Sequence, residues 1–271
     1  MAHQALPRFA VIIPARFESS RFPGKPLAEL CGSTGVAKPL IRRSWEAAVA
    51  ASGENQVWIA TDDVRIAEAA QQFGGQVVMT SSHCLNGTER CAEAAEKIPD
   101  CPEIIVNFQG DAPLTPAPLI GQLATALADD PTAAMATPAL RCSPSTYDHL
   151  EADRAAGRVG GTTVIFNREN RALYFSKRML PYIPPRTPSP AEHVHLHLGI
   201  YAYRREQLAR YAAAATSPLE TLEGLEQLRF LAEGQVVKVV PLDPVGWDCI
   251  ELNNPSDVAP IEAILRQRGI E

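Results

Sequence analysis

Apolar residues fall in short blocks along the first half of this chain, and the polar residues between them change period from block to block. FAVIIPA (residues 9–15) is apolar throughout, as a strand covered on both faces must be. KPLIRRSWEAAVAAS (38–52) carries apolar residues near helical spacing instead. QVWIATDD (56–63) reads as a strand running into acids, and VRIAEAAQQFGG (64–75) as a helix closed at Gly74. The alternation continues with a strand in QVVMTS (76–81), a helix in GTERCAEAAEKI (87–98) and a strand with a polar turn in EIIVNFQGDAPL (103–114). A helix in APLIGQLATALADD (117–130) and a strand in AAMATPAL (133–140) complete it. Strand and helix in regular succession predict an α/β fold whose largely parallel sheet is covered by helices.

The rhythm ends after Arg141. GGTTVIFNRENRALYFS (160–176) reads as a β-hairpin, and LPYIPPRTPSPAEH (180–193), with five prolines, as a surface loop or arm. HLGIYAYR (197–204) then predicts a strand, PLETLEGLEQLRFLAEG (218–234) an amphipathic helix and QVVKVVPLD (235–243) a final strand. SDVAPIEAILRQRG (256–269) reads as a terminal helix capped by Ser256. One domain over residues 1–271 is expected, with 142–215 inserted as a smaller subdomain.

Composition narrows the function classes. The formal net charge is −6, against the basic surplus of a nucleic-acid binder. Cys31, Cys84, Cys91, Cys101, Cys142 and Cys249 form no C-x-x-C pair and no zinc spacing, which predicts reduced thiols. No signal peptide is visible, and no apolar stretch approaches the roughly 20 residues of a membrane helix. A soluble cytoplasmic protein without membrane insertion is the expectation.

Against that acidic background, the loop after the first strand carries Arg16, Arg21 and Lys25, with Gly24 beside them. Open α/β sheets bind ligands beyond the carboxyl ends of their strands. Three cations with a glycine that lets the backbone approach suit a triphosphate there, although no Walker A pattern is present. A solvated basic turn is the other reading. Asp111 and Asp248 also follow strands, and together could hold a hard divalent cation such as Mg²⁺, which takes one or two carboxylates plus phosphate oxygens. Each aspartate alone equally suits a turn. His193, His195 and His197 alternate, so on a strand they would share a face and could mimic a metal site.

IPARFESSRFPGKPL, ATDD, NGTERCAEA, VNFQGDAPL, HLGIYAYR and SPLETLEGLEQLRFL, in that order, resemble the motifs of the 3-deoxy-D-manno-octulosonate (Kdo) cytidylyltransferases across nearly the whole chain. The resemblance implies a Rossmann-like, three-layer nucleotidyltransferase fold with a mixed, mostly parallel sheet and a small dimerisation subdomain forming a homodimer. It implies transfer of CMP from CTP to the anomeric hydroxyl of an acidic sugar. It places Arg16, Ser19, Arg21, Lys25 and Gln109 on the nucleotide, with Arg16, Lys25, Asp111 and Asp248 in catalysis and the two aspartates on Mg²⁺. Arg90, Gln109, His197, Tyr201, Glu226 and Gln227 would meet the sugar acid, and Arg90 suits its carboxylate because a guanidinium can grip one through two parallel bonds. No cysteine sits in a nucleophile motif. Departures border the acceptor side: Ala112 stands where the family carries an acid, Cys249 where it carries threonine, CGSTGVAKPL is two residues longer, and GRVGGTTVIF differs. They leave Kdo and other acids, such as an amino-Kdo, another ulosonic acid or a phosphonate, as possible acceptors.

Overall fold

Alternate side chains of β1 (Phe9–Ala15) enter two separate cores, one on each face of the sheet. Phe9, Val11, Ile13 and Ala15 pack on one side, Ala10 and Ile12 on the other. This explains its unbroken apolar run, since a period of two sends buried residues both ways. The computed structural model describes residues 6–18, 21–53 and 55–271.

The remaining strands, in chain order, are β2 (Glu29–Cys31), β3 (Ala37–Pro39), β4 (Gln56–Thr61), β5 (Gln76–Met79), β6 (Ile104–Phe108), β7 (Met135–Arg141), β8 (Thr163–Phe166), β9 (Ala172–Ser176), β10 (His195–His197), β11 (Ile200–Arg204) and β12 (Val237–Leu242). The α-helices are α1 (Leu40–Ser52), α2 (Val64–Gln72), α3 (Gly87–Lys97), α4 (Leu119–Asp129), α5 (Pro144–Ala155), α6 (Arg205–Ala213), α7 (Pro218–Glu223), α8 (Leu228–Ala232) and α9 (Val258–Arg268). Among the described residues, ten strands form one sheet in the order β5-β4-β1-β6-β11-β7-β10-β8-β9, with β12 parallel to β7. The β5, β4, β1 and β6 strands run parallel, while β11 and β10 are antiparallel to their neighbours. Helices α1, α2 and α4 cover one face; α3, α6 and α8 cover the other. The expected three-layer α/β architecture with a mixed sheet is what forms.

Residues 142–215 leave the βα rhythm, yet part of them belongs to the main sheet. β11 lies between β6 and β7 at its centre, and the β8–β9 hairpin continues the same sheet through β10. The sheet then curls back on itself: Arg171 bridges Lys238, and the Val239 N–H donates to the Asn170 carbonyl at 2.7 Å.

Several elements differ from the sequence reading, each for a local reason. α1 begins at Leu40, because Lys38 and Pro39 pair with β2. The single helix expected over 218–234 is two, since Gly224 adopts φ 62° and closes α7 as a left-handed cap. HLGIYAYR breaks between His197 and Ile200, so β10 pairs with β7 and β8 while β11 turns to β6. The C-terminal cap comes from Asn254 and Asp257 rather than Ser256; the Asp257 carboxylate accepts the Asn254 N–H at 2.7 Å. α5 and α6 are additional helices, and Ser143 caps α5 by accepting the Thr146 N–H.

Candidate active site

The segment after β1 folds back at once. The Gly24 N–H donates to the Phe17 carbonyl at 2.9 Å, with Gly24 at φ 72° and the Phe17 ring 3.1 Å from where a Cβ would lie. A side chain there would meet both strain and the ring, so glycine is required. The Arg65 guanidinium covers Phe17 at 3.3 Å from the ring centroid and anchors the loop to α2.

A short 3₁₀ turn (Lys25–Leu27) carries Lys25 inward, where its Nζ meets Asp111 Oδ2 at 2.7 Å. Arg21 donates to Asn253 Oδ1 at 2.8 Å, and Arg16 is exposed on the rim. Ser19 lies outside the described residues. Arg16, Arg21, Lys25, Gln109 and Asp111 line one cavity of about 510 Å³, together with Arg90 and Glu226. The predicted triphosphate loop and part of the predicted acceptor set thus share one cleft beyond the carboxyl ends of β1 and β6.

The far wall is built on the first turn of α3. Asn86 caps the helix by accepting the Glu89 N–H at 2.8 Å. Glu226 Oε2 accepts the Thr88 N–H at 3.0 Å and the Thr88 hydroxyl at 2.6 Å, so a carboxylate occupies the helix N-terminus. Burial raises the Glu226 pKa, opposed by those hydrogen bonds. Arg90, only 3% exposed, donates to Thr80 Oγ1 at 2.6 Å and lies 3.4 Å from Asp62 Oδ2. Arg229, which lines the same cleft with Glu220, makes a two-point ion pair with it at 2.7 Å, donates to the Tyr211 carbonyl at 3.0 Å and stacks over the Tyr211 ring.

Tyr201, Gln227 and His197 form the layer beneath. The Tyr201 hydroxyl donates to Gln227 Oε1 at 3.5 Å. His197 stands between the rings of Phe175 and Tyr201, with centroids at 5.1 and 5.3 Å, and its Nε2 is 2.9 Å from Thr137 Oγ1. These three residues are near the cleft but not on its surface. His193 ends a 3₁₀ turn (Pro190–His193) while His195 and His197 lie on β10, so the three histidines do not share a strand face.

Burial lowers the His197 pKa from 6.5 to about 3. Such a histidine takes its proton on unfolding, so it weakens the fold progressively as pH falls from about 7 toward 3 and has no effect above. We expect His197→Gln to flatten the acid limb of the stability–pH profile, measured by urea unfolding between those limits. An unchanged slope would contradict the assignment.

Of the two predicted metal ligands, Asp111 lines the cavity. Asp248 is exposed and does not line the cavity, although its segment docks on Asp111: the Leu252 N–H donates to the Asp111 carbonyl at 2.8 Å. Glu251, absent from the predicted set, is an acid on which the Asp111 charge acts. Desolvation and then the Asp111 charge raise its pKa, although part of the residue stays open to solvent. The GWDCIE run held the only signal for it. Ala112 is 4% exposed, so an acid at that place would be buried.

Similarity to known proteins follows this geometry. The cytidylyltransferase family model matches residues 10–239. A 3-deoxy-manno-octulosonate cytidylyltransferase of Maricaulis maris is 42% identical over 95% of this chain and 97% of its own. The chain belongs to the 3-deoxy-manno-octulosonate cytidylyltransferase family. A mitochondrial family member of Arabidopsis thaliana is 38% identical over 97% of this chain and 85% of its own. A solved CMP:2-keto-3-deoxy-manno-octonic acid synthetase, complexed with CTP, superposes with a TM-score of 0.79 at 32% identity, covering 97% of this chain and 100% of the other. Family membership accounts for the sheet order and the cationic loop together, since both belong to the region matched.

Proposed function

We propose that the protein transfers CMP from CTP to the anomeric hydroxyl of Kdo, releasing pyrophosphate and supplying an activated sugar for lipopolysaccharide synthesis. The observation that carries this reading is a single cleft lined by Arg16, Arg21 and Lys25 together with Arg90 and Glu226. The hydroxyl gives up its proton to water and its oxygen attacks the α-phosphorus in line, as the bond to the β-phosphate oxygen breaks and pyrophosphate leaves. Arg16, Arg21 and Lys25 neutralise charge gathering on the leaving group, where fixed cations are most effective. Arg90 orients the acceptor carboxylate, and no covalent enzyme intermediate is required.

Mg²⁺ is part of the proposal. The Asp111 carboxylate fits it, being a hard oxygen donor at the mouth of the triphosphate loop, and Asp248 would be its second ligand from the docked segment. Among the described residues no group of three His, Cys, Asp or Glu side chains is arranged to hold a metal, so phosphate oxygens and water would complete the shell. A cation held there would supply Lewis-acid polarisation of the α-phosphate and would favour ionisation of the attacking hydroxyl.

Pyrophosphate release from CTP and Mg²⁺ with Kdo and a panel of related acids tests the reading; release with Kdo is expected. Buried Ala112, where the family carries an acid, favours a second reading in which another ulosonic acid, an amino-Kdo or a phosphonate is used. Turnover confined to such an acid would select it.

The proposal extends to a homodimer. Leu173 on β9, Tyr182 in the segment after it and Leu222 on α7 are exposed large apolar side chains, with Tyr182 at 80% and Leu222 at 83%. Light scattering at micromolar concentration should give twice the chain mass of 29.3 kDa, and a clean monomer would defeat the idea. No helix among the described residues is long and apolar enough to cross a membrane. The cytoplasm, where CTP is available, is the compartment this reading assigns.

A further inference from the structure

Asn107 is fully buried on β6, and neither its Oδ1 nor its Nδ2 has a hydrogen-bond partner among the described residues. A buried carboxamide carries two donors and an acceptor with two lone pairs, and leaving all of them unmet destabilises a fold. Native structures rarely keep such a group without a use for it.

Its position is informative. Ile104, Val106 and Phe108 point into one core and Ile105 into the other, so alternation sends Asn107 to the face of α3 and α8. Two residues on, in the same column, stands Gln109, which lines the cleft. Across the strand pair, Asn107 is in register with Tyr201, whose hydroxyl reaches Gln227. The Gln227 Nε2 is likewise buried without a partner. Above them is Gly87, also on the cleft wall; a Cβ there would lie 3.9 Å from Asn107 Nδ2. The whole Asn107 carboxamide and the amide nitrogen of Gln227 are therefore buried without partners among the described residues, next to Gly87 of the cleft lining, where a side chain would narrow the approach.

We propose that Asn107 is a specificity-determining residue, whose carboxamide takes a hydroxyl of the acceptor sugar acid when the substrates are bound. A donor and an acceptor on one rigid amide match a polyol, which offers both. The inference rests on the proposed cytidylyl transfer and adds the residue that reads the acceptor's hydroxyls. It also gives the burial of a costly polar group a function, since stability is commonly given up at sites that must bind polar ligands.

The test is Asn107→Leu, which keeps the approximate shape and removes every polar atom. We expect a melting temperature equal to or above that of the wild type, a Kdo KM raised about 10- to 100-fold and a CTP KM within about twofold. A Kdo KM unchanged in a folded variant would overturn the inference, and so would a fall in melting temperature with both KM values intact, the mark of an internal structural bond. Should the variant fail to fold, the wild type decides. The Asn107 side-chain amide NMR signals should shift when Kdo is added to the CTP-bound protein, and unmoved signals would overturn the inference. A wild type with no Kdo turnover defeats the proposed function and this inference together. A wild type that uses Kdo beside an Asn107→Leu variant of normal Kdo KM defeats the inference alone.

Discussion

Asp111→Asn is expected to lower turnover by about a thousandfold while the protein stays folded. The side chain stands on the turn after β6, with a quarter of its surface open, so the core does not depend on it. Its charge faces Lys25 Nζ at 2.7 Å in the cleft that holds the other cations of the loop. Asparagine keeps the shape and removes the charge that would position a divalent cation and hold Lys25 toward the phosphates. Removing one well-placed electrostatic group from an active site typically costs about 10²- to 10³-fold in rate, and loss of metal affinity adds to it. Pyrophosphate release should fall accordingly while the melting temperature changes by only a few degrees. Turnover near normal would remove Asp111 from the mechanism.

Arg229→Met has the largest expected effect on stability. Arg229 is 2% exposed and Glu220 6%, and the two-point pair between them is backed by the Tyr211 carbonyl and by Glu89 at 3.2 Å. Deleting the arginine leaves the Glu220 charge buried with only the Tyr211 hydroxyl near it. Breaking a buried pair from one side costs about 3–5 kcal/mol, largely because the remaining charge is stranded. At about 2–4 °C per kcal/mol for a chain of this size, the melting temperature should drop by about 10 °C. Adding Glu220→Gln should restore part of the loss, since the stranded charge is then gone. A single variant within about 2 °C of wild type would mean that the pair contributes nothing net.

These two cases show what a linear reading can and cannot find. Asp111 and Lys25 were legible because each follows a buried strand whose apolar run announces its end. Their meeting at 2.7 Å, across 86 positions, needed the sheet order that sets β1 beside β6. The parallel half was readable for the same reason: each strand is continuous, and each helix returns to a neighbour. β11 was not placeable, because its partners β6 and β7 are fixed by long-range pairing and not by local pattern. Gly224 did signal the break between α7 and α8, but an apolar period that continued across it masked the stop. Glu220 and Arg229, nine residues apart, would lie on opposite faces of the single helix expected over 218–234; the break at Gly224 is what lets them pair. Glu251 and Asn107 sit inside recognised motifs, yet their surroundings decide their roles: the Asp111 charge acts on one, and the other is buried with no hydrogen-bond partner among the described residues.

Product analysis tests the central claim most directly. The protein is incubated with CTP, Mg²⁺ and Kdo carrying ¹³C at the anomeric carbon, and the product is examined by mass spectrometry and ³¹P NMR. The account predicts one new species with the mass of CMP joined to Kdo, phosphorus–carbon coupling to the labelled carbon, and pyrophosphate in equal amount. CTP cleaved to CMP without a sugar adduct, or CMP attached away from the labelled carbon, would contradict it.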